Sequence, residues 1–402
     1  MNIQHRQWQP VRLSQPSQGE SVLEEPPLDV ERLQDRVASA VGDVPALLAI
    51  AQQAGRSAPK PGDGRTVRLW ELLASVAAVD VAAARVMEPH LDAGAILSQA
   101  GTPESFTGTW GVYAAEAPGT RLAAEAGPGE AGPAEAEPGE AEPAGKATGV
   151  QLNGSKPWCS LAQFVDHAVV TAHTETGGRA AFAVDLRAAG VTCDVPEWTS
   201  RGLREIPSGT VHFDRVPAVP LGGDGWYFQR PGFAWGGMGV AACWLGGAVA
   251  LGRHFEAALL RGARSQREPD QVALAALGEV DRILTSTLQY LTRAADAVDA
   301  AGADREPAVE GAHGEPNTGG GLGLDSSAVG GWSEALRVRG TVAAAVERVQ
   351  LLVSQNLGPG PLAFDERYGK CMADLSLYVR QHHATRDDAQ LGALTLKGEH
   401  AW

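Results

Sequence analysis

Two neighbouring imidazoles, His382 and His383, stand in the stretch Tyr378-Val-Arg-Gln-His-His-Ala384. A neutral imidazole accepts a proton, and its unperturbed pKa of about 6.5 suits proton transfer near neutral pH. Either His382 or His383 could act as such a base, with the other imidazole or Asp374 as an orienting partner. The competing reading is a solvated helix face, because Arg380, Arg386, Asp387 and Asp388 flank the pair and adjacent helical residues point about 100° apart. A second group is Asn153-Gly-Ser-Lys-Pro-Trp-Cys-Ser160. Asn-Gly suits a tight hairpin turn, and in the following strand Trp158 and Ser160 share a face. They form either an aromatic surface beside a hydroxyl or a plain buried strand tryptophan with an ordinary serine. The four cysteines, Cys159, Cys193, Cys243 and Cys371, lie far apart without metal-ligand spacing. No metal site is expected, and the thiols read as reduced and buried.

These residues need a scaffold. The chain has 402 residues, 44% of them hydrophobic, enough for two or three domains and a large core. A formal net charge of −15 with no Lys/Arg-rich block repels nucleic acid and anionic membranes, so neither is expected as a partner. The stretch Met1 to Pro16 is polar and lacks the apolar core of a secretion signal, which points to a cytoplasmic protein. Phe233 to Gly252 runs 20 residues without a charge, long enough to cross a bilayer. Its six glycines favour instead a central helix packed closely by its neighbours in a soluble core.

Val30, Leu33, Val37 and Val41 recur at helical steps after Asp29, a suitable N-cap. Further helices are expected over 45–54, 67–87 and 91–100, after a loose arm at 1–28. The stretches 110–115, 165–172, 180–185 and 210–214 are rich in Val, Phe and Thr between Gly, Pro and Asp, the pattern of an antiparallel sheet. Helices return over 233–260, 271–301, 331–357 and 365–391, with lengths that suit a four-helix bundle. The predicted domains are 1–109, 110–230 and 231–402, an α+β organisation. The Gly/Pro/Ala/Glu run 123–148 and the Gly-rich run 302–330 bury too little apolar surface to offset ordering, and are expected to be mobile loops.

The order helical domain, sheet domain, helical bundle, together with these motifs, resembles the acyl-CoA dehydrogenase family. Asn153 to Ser160 is similar to the family's Asn-Gly-x-Lys-x-Trp-Ile-Thr/Ser segment. Ala115-Glu-Ala-Pro-Gly-Thr120, after Trp110 to Tyr113, is similar to its Thr-Glu-Pro-x-x-Gly-Ser segment, with alanine in place of threonine. Gly202 to Pro217 resembles the exit from the sheet domain, and Gln355-Asn-Leu-Gly-Pro-Gly360 resembles a Gln-x-x-Gly-Gly-x-Gly turn.

The resemblance implies FAD between sheet domain and bundle, contacted by Tyr113, Ala115, Trp158 and Ser160. Gln355 and Gly358 would meet its adenylate side, and Arg264 or its neighbours Arg261 and Arg267 the pyrophosphate. It further implies α,β-dehydrogenation of an acyl-CoA or other acyl thioester. A base takes the Cα proton, a hydride passes from Cβ to flavin N5, and electrons go on to a partner protein or oxygen. It also implies a homodimer or homotetramer. The family's base is a Glu after the fourth bundle helix or on the first one. Here the count from Asp374 reaches His382, with His383 or Gln381 as alternates for the former place, and Gly236 to Trp244 offers no acid at the latter. Three functions stand open: a dehydrogenase, a flavin monooxygenase on the same scaffold, and a flavin-binding or assembly protein without turnover.

Overall fold

The computed structural model of the protein describes residues 8–13, 29–127, 149–303 and 326–400. The first helices start on aspartates that satisfy otherwise unpaired amides. Asp29 accepts from the Arg32 amide before α1 (Val30–Ser39), and Asp43 from the Ala46 amide before α2 (Val44–Gly55). Helices α3 (Thr66–Val79) and α4 (Val81–Gln99) meet at Asp80, which is extended and accepts from the Ala83 amide at 2.8 Å. This corrects the break expected between 87 and 91. Pro89 lies inside α4, and the chain turns at Asp80 because that carboxylate caps the next helix.

The sheet holds β1 (Trp110–Tyr113), β2 (Leu122–Ala126), β3 (Val150–Ser160), β4 (His167–His173), β5 (Arg179–Asp185), β6 (Val191–Cys193) and β7 (Ser208–Leu221). Its order is β1-β4-β2-β3-β7-β5, with β6 on β7, and an added β4–β5 pairing closes the path on itself. Pairing is antiparallel except for β1 with β4 and one β2–β4 pair, Ala123 with His173. Two expectations change. Residues 123–126 of the Gly/Pro/Ala/Glu run are strand β2, paired with β3, while 128–148 lie outside the described residues. Asn153-Gly154 makes no hairpin turn; it sits inside β3, where Gly154 takes φ 113° at a register shift against β7. That is a β-bulge, which a glycine accommodates.

The remaining helices are α5 (Trp226–Gln229), α6 (Pro231–Arg264), α7 (Gln271–Ala303), α8 (Ser326–Leu357), α9 (Pro359–Phe364), α10 (Glu366–Tyr378) and α11 (Thr385–Thr395). Both ends of the expected 302–330 loop are helical, and 304–325 lie outside the described residues. The helix expected over 365–391 is broken. His382 is extended and Ala384 takes φ 49°, so α10 and α11 are separate and the two histidines lie in their connection.

The chain divides into two compact units. A helical unit draws on Met1–Ala95, Thr199–Ile206 and Gln229–Trp402; a sheet unit draws on Ile96–Trp198 and Pro207–Phe228. In the helical unit, residues 8–13 are not the loose arm expected of 1–28; residues 1–7 and 14–28 lie outside the described residues. The Val11 and Leu13 amides donate to Ser75 Oγ and Glu71 Oε1, each at 2.8 Å. Arg253 donates to the Gln9 and Pro10 carbonyls at 2.6 and 3.1 Å, and the Thr292 hydroxyl to the Leu13 carbonyl at 2.7 Å. The six residues form a strap across α3, α6 and α7.

The glycines of α6 are there for close approach. The helix is long and apolar enough to cross a bilayer, yet 78% of its most apolar window is buried by the rest of the protein. A Cβ at Gly246 would collide with the Ala74 backbone of α3, and one at Gly247 would press on Leu375 of α10 at 2.8 Å. Gly246→Ala is therefore expected to force α3 and α6 apart and to cost about 3 kcal/mol in urea unfolding. Gly278→Ala, at an exposed site on α7 where a Cβ would meet nothing within 4 Å among the described residues, is expected to stabilise by about 0.5–1 kcal/mol. Equal effects of the two substitutions would remove close packing as the reason for glycine at 246.

Candidate active site

In the sheet unit, two of the four residues expected to meet a cofactor, Tyr113 and Ser160, are tied together. Tyr113 closes β1, and its hydroxyl donates to the Ser160 carbonyl at 3.0 Å. The Ser160 and Ser208 hydroxyls lie 2.7 Å apart. Trp158 is 59% exposed and held at φ 60°, beside a second register shift between Lys156 and Cys159. A left-handed backbone at a tryptophan costs on the order of 1–3 kcal/mol and persists only when its surroundings enforce it. Here the flanking Cys159 is buried, which leaves the indole as an exposed flat surface.

Ala115 is exposed, and the residues beside it are anchored. Arg179 donates to the Ala114 carbonyl at 3.0 Å. Glu116 meets Lys156 at 2.8 Å, Arg179 at 3.0 Å and His173 at 3.1 Å. Burial alone would raise the Glu116 pKa, but the Lys156 hydrogen bond and charge, helped by His173 and Arg179, hold it below the usual range. Burial pulls the enclosed Lys156 down, against the opposing pull of Glu116.

In the helical unit, the α10–α11 connection separates the two histidines. His383 is 67% exposed, with Nδ1 3.2 Å from Asp387 Oδ1. The His382 side chain is 9% exposed; its Nε2 makes no hydrogen bond among the described residues and lies 3.8 Å from Asp387 Oδ2. Burial lowers its pKa first, with Arg339 and His383 adding to the effect and Asp387 and Asp388 opposing it. The orienting acid is therefore Asp387, not Asp374. Asp374 is occupied elsewhere, accepting from the Leu203 amide at 2.6 Å and from Lys370 at 2.6 Å. Arg339 ties the connection to α6, donating to the Gln381 carbonyl at 2.6 Å and the Gly237 carbonyl at 2.9 Å.

The structure adds a charged face that the sequence reading missed. Arg85, Glu88 and Asp92 lie at i, i+3 and i+7 on α4, one side of a helix. Arg85 is 3.9 Å from Glu88 and sits over the Tyr378 ring, which meets Trp244 edge-on. Burial pushes the Glu88 pKa up to about 7, with Asp92 adding to the rise and Arg85 and Arg339 opposing it. Burial likewise raises Asp92, against the pull of Arg230. The signal was present as Arg-x-x-Glu-x-x-x-Asp in an apolar stretch, but a helix break placed at 87–91 split it.

Arg264, Gln355 and Gly358 are less closely organised. Phe233 stacks on Trp332 and Arg339 reaches the Gly237 carbonyl, so α6 and α8 run parallel. The exposed Arg264 and Gln355 thus share one end of the bundle without bonding to each other. Gly358, at φ 69°, makes the turn into α9.

Glu88 yields a signed prediction. Its unperturbed value is 4.5 and its folded value about 7, so the folded state holds a proton that the unfolded state has released. Stability falls as pH rises from about 4.5 to about 7 and levels off above. Difference infrared spectroscopy is expected to show a protonated carboxyl titrating near pH 7, absent in Glu88→Gln. Ionisation near 4.5 in the folded protein would contradict it.

Residues 134–216 match the acyl-CoA dehydrogenase middle-domain family. No curated protein matches the chain. Among solved structures the chain is similar to KijD3 in complex with FMN and dTDP-3-amino-2,3,6-trideoxy-4-keto-3-methyl-D-glucose. The TM-score is 0.68 at 17% identity, covering 92% of this chain and 91% of that one. FMN-bound TdsC from Paenibacillus sp. A11-2, a dibenzothiophene monooxygenase, gives a TM-score of 0.66 at 15% identity, covering 91% and 98%. Butyryl-CoA dehydrogenase from Megasphaera elsdenii gives 0.67 at 14% identity, covering 93% and 100%. The middle-domain match, these likenesses and the helix–sheet–helix order identify the chain as a divergent protein of the acyl-CoA dehydrogenase fold.

Proposed function

We propose that the chain is a flavin-dependent monooxygenase acting on a polar substrate. The observation that carries this is the enclosed charged face of Arg85, Glu88 and Asp92, with Arg230 and Arg339 near them. A hydrocarbon tail laid against it would strip water from these groups and return no hydrogen bonds, at a cost of roughly 2–7 kcal/mol for each polar group. A substrate with hydroxyl, amino or anionic groups would satisfy them. The likeness to FMN-bound TdsC, a monooxygenase, supports the same direction.

Reduced flavin, when bound, supplies dioxygen activation: one oxygen atom enters the substrate and the other leaves as water, with electrons drawn from a reduced nicotinamide or a partner reductase. The isoalloxazine ring is common to FMN and FAD, and the exposed Trp158 indole offers it a flat surface beside Ser160. His382 is kept neutral by burial and has an unbonded Nε2, so it can take or give a proton. Asp387, 3.8 Å away, would stabilise the imidazolium.

A second reading is α,β-dehydrogenation of an acyl thioester with bound FAD. The same buried, neutral His382 favours it, since the residue follows α10 where the resemblance puts the base. His382 would then remove the Cα proton as a hydride leaves Cβ.

The test incubates the protein with FMN and with FAD, identifies the retained flavin by chromatography, and mixes the loaded protein anaerobically with butyryl-CoA and octanoyl-CoA. A yellow protein that neither thioester bleaches, and that consumes oxygen once reduced by NADH and a flavin reductase, is expected. Bleaching by either thioester overturns the monooxygenase in favour of the second reading. A protein left colourless by both flavins overturns both. His382→Ala is expected to slow turnover about a hundred-fold; an unchanged rate would remove His382 from the chemistry.

A further inference from the structure

A Ser–His–Asp triad lies on the sheet unit and takes no part in either flavin reading. His212 of β7 is the cross-strand partner of Ser155 of β3. Its Nδ1 is 2.8 Å from Ser155 Oγ, and its Nε2 is 3.0 Å from Oδ2 of Asp194, the residue that follows β6. Asp194 is fixed by its own backbone: its amide donates to the Thr210 carbonyl at 2.9 Å, and its carbonyl accepts from Gln163 Nε2 at 3.1 Å. β3, β7 and the end of β6 thus deliver the three side chains to one place.

Chemistry sets the direction of each hydrogen bond. A carboxylate only accepts, so Nε2 carries the ring proton. In the neutral ring Nδ1 is then the acceptor, and the Ser155 hydroxyl donates to it. These are the parts of an activated serine: an orienting acid, a base with its lone pair on the nucleophile, and a nucleophile whose proton already points at the base. The two ring nitrogens are exchanged relative to the serine proteases, which leaves the roles unchanged. Lys156, the next residue, reaches inward to Glu116 and Thr171, so Ser155 faces the other way. The His212 and Asp194 side chains are 46% and 52% exposed, so water could satisfy each and burial does not force them together. The register that pairs Leu122 with Gly154 continues to Arg121 opposite Ser155, whose amide donates to the Arg121 carbonyl at 2.8 Å. Opposite residues have Cβ atoms about 4.5–5.5 Å apart, so the exposed Arg121 side chain can reach a negative charge forming beside Ser155 Oγ.

We propose that Ser155 is the nucleophile of a second active centre, which hydrolyses small, uncharged esters. His212 takes the Oγ proton as Oγ bonds to the carbonyl carbon; the bond to the alcohol oxygen then breaks, and His212 returns the proton to that oxygen. Water repeats the exchange. Its oxygen bonds to the acyl carbon, its proton passes to His212, and the acid leaves as Oγ recovers a proton. The substrate is small because the face is open and grips little of it, and uncharged because a net charge of −15 repels anions.

The test incubates the full chain with p-nitrophenyl acetate, follows nitrophenolate release, and maps acetyl groups by mass spectrometry of acid-quenched samples. Acetyl on Ser155 is expected, formed about a hundred-fold more slowly in His212→Gln. Ser155→Ala is expected to lose that acetyl and the burst of nitrophenolate that accompanies it. Arg121→Gln is expected to slow acetylation about ten-fold. Asp194 is a positioning residue: Asp194→Asn is expected to slow acetylation about ten-fold and to shift the His212 ring resonances in nitrogen NMR, which report the tautomer. None of the four residues is buried, so these substitutions leave the fold intact. Nitrophenolate release with no acetyl on Ser155, or acetylation of Ser155 that His212→Gln does not slow, overturns the proposal. Equal acetylation of Ser155 in the guanidinium-unfolded chain also overturns it, since the serine would then owe nothing to its neighbours.

Discussion

Lys370 puts one ammonium against three carboxylates: Asp374 at 2.6 Å, Asp80 at 2.8 Å and Glu205 at 3.0 Å. Burial works against the charge on Lys370, and the acids around it more than restore it, raising its pKa above the ordinary value. Each acid belongs to a different piece of the helical unit. Asp80 caps α4 and so fixes which side of that helix carries Arg85, Glu88 and Asp92. Asp374 accepts the Leu203 amide and holds 199–206 against α10, where Gly202 leaves no room for a side chain beside Ala373. α10 in turn leads to the His382 connection. Loss of the ammonium would leave three buried carboxylates facing one another, a far larger penalty than the pairs themselves gain.

The sheet unit uses the same device on a smaller scale. Lys156 is buried, and its ammonium reaches both Glu116 and Thr171. Glu116 follows Ala115, where the resembling motif has threonine, so a hydroxyl is lost while the backbone beside it stays anchored by Glu116 and Arg179. Shape and chemistry are therefore separable here. The scaffold keeps its form through buried ion pairs, and the groups lining the interior are free to differ, which is why a fold of this kind does not name its reaction.

Legibility followed locality. The cap at Asp29 and the glycine-rich α6 could be read because each depends on its own neighbours in sequence. The end of α3 could not, because Pro89 carries a helix-breaking signal that α4 absorbs, while Asp80 carries the true boundary through a side chain. That single shift hid Glu88 and Asp92. The bulge at Gly154 resembles a turn signal until β7 is known to pair on both sides of it. The exchange of Asp374 for Asp387 beside His382 was equally out of reach, because it depends on Lys370 and Leu203 having already claimed Asp374.

The strap at residues 8–13 has a consequence for biosynthesis. Leu13 meets Thr292 across 279 positions, and Gln9 meets Arg253 across 244. On a ribosome adding about 5–20 residues per second, the strap waits on the order of 14–56 seconds before its last partner has been made. Until α6 is made, Val11 and the α3 surface around Ala74 and Ala78 lack the cover that Val249 gives. The strap is thus made early and docks late, and a nascent chain halted before α6 carries an uncovered apolar surface there.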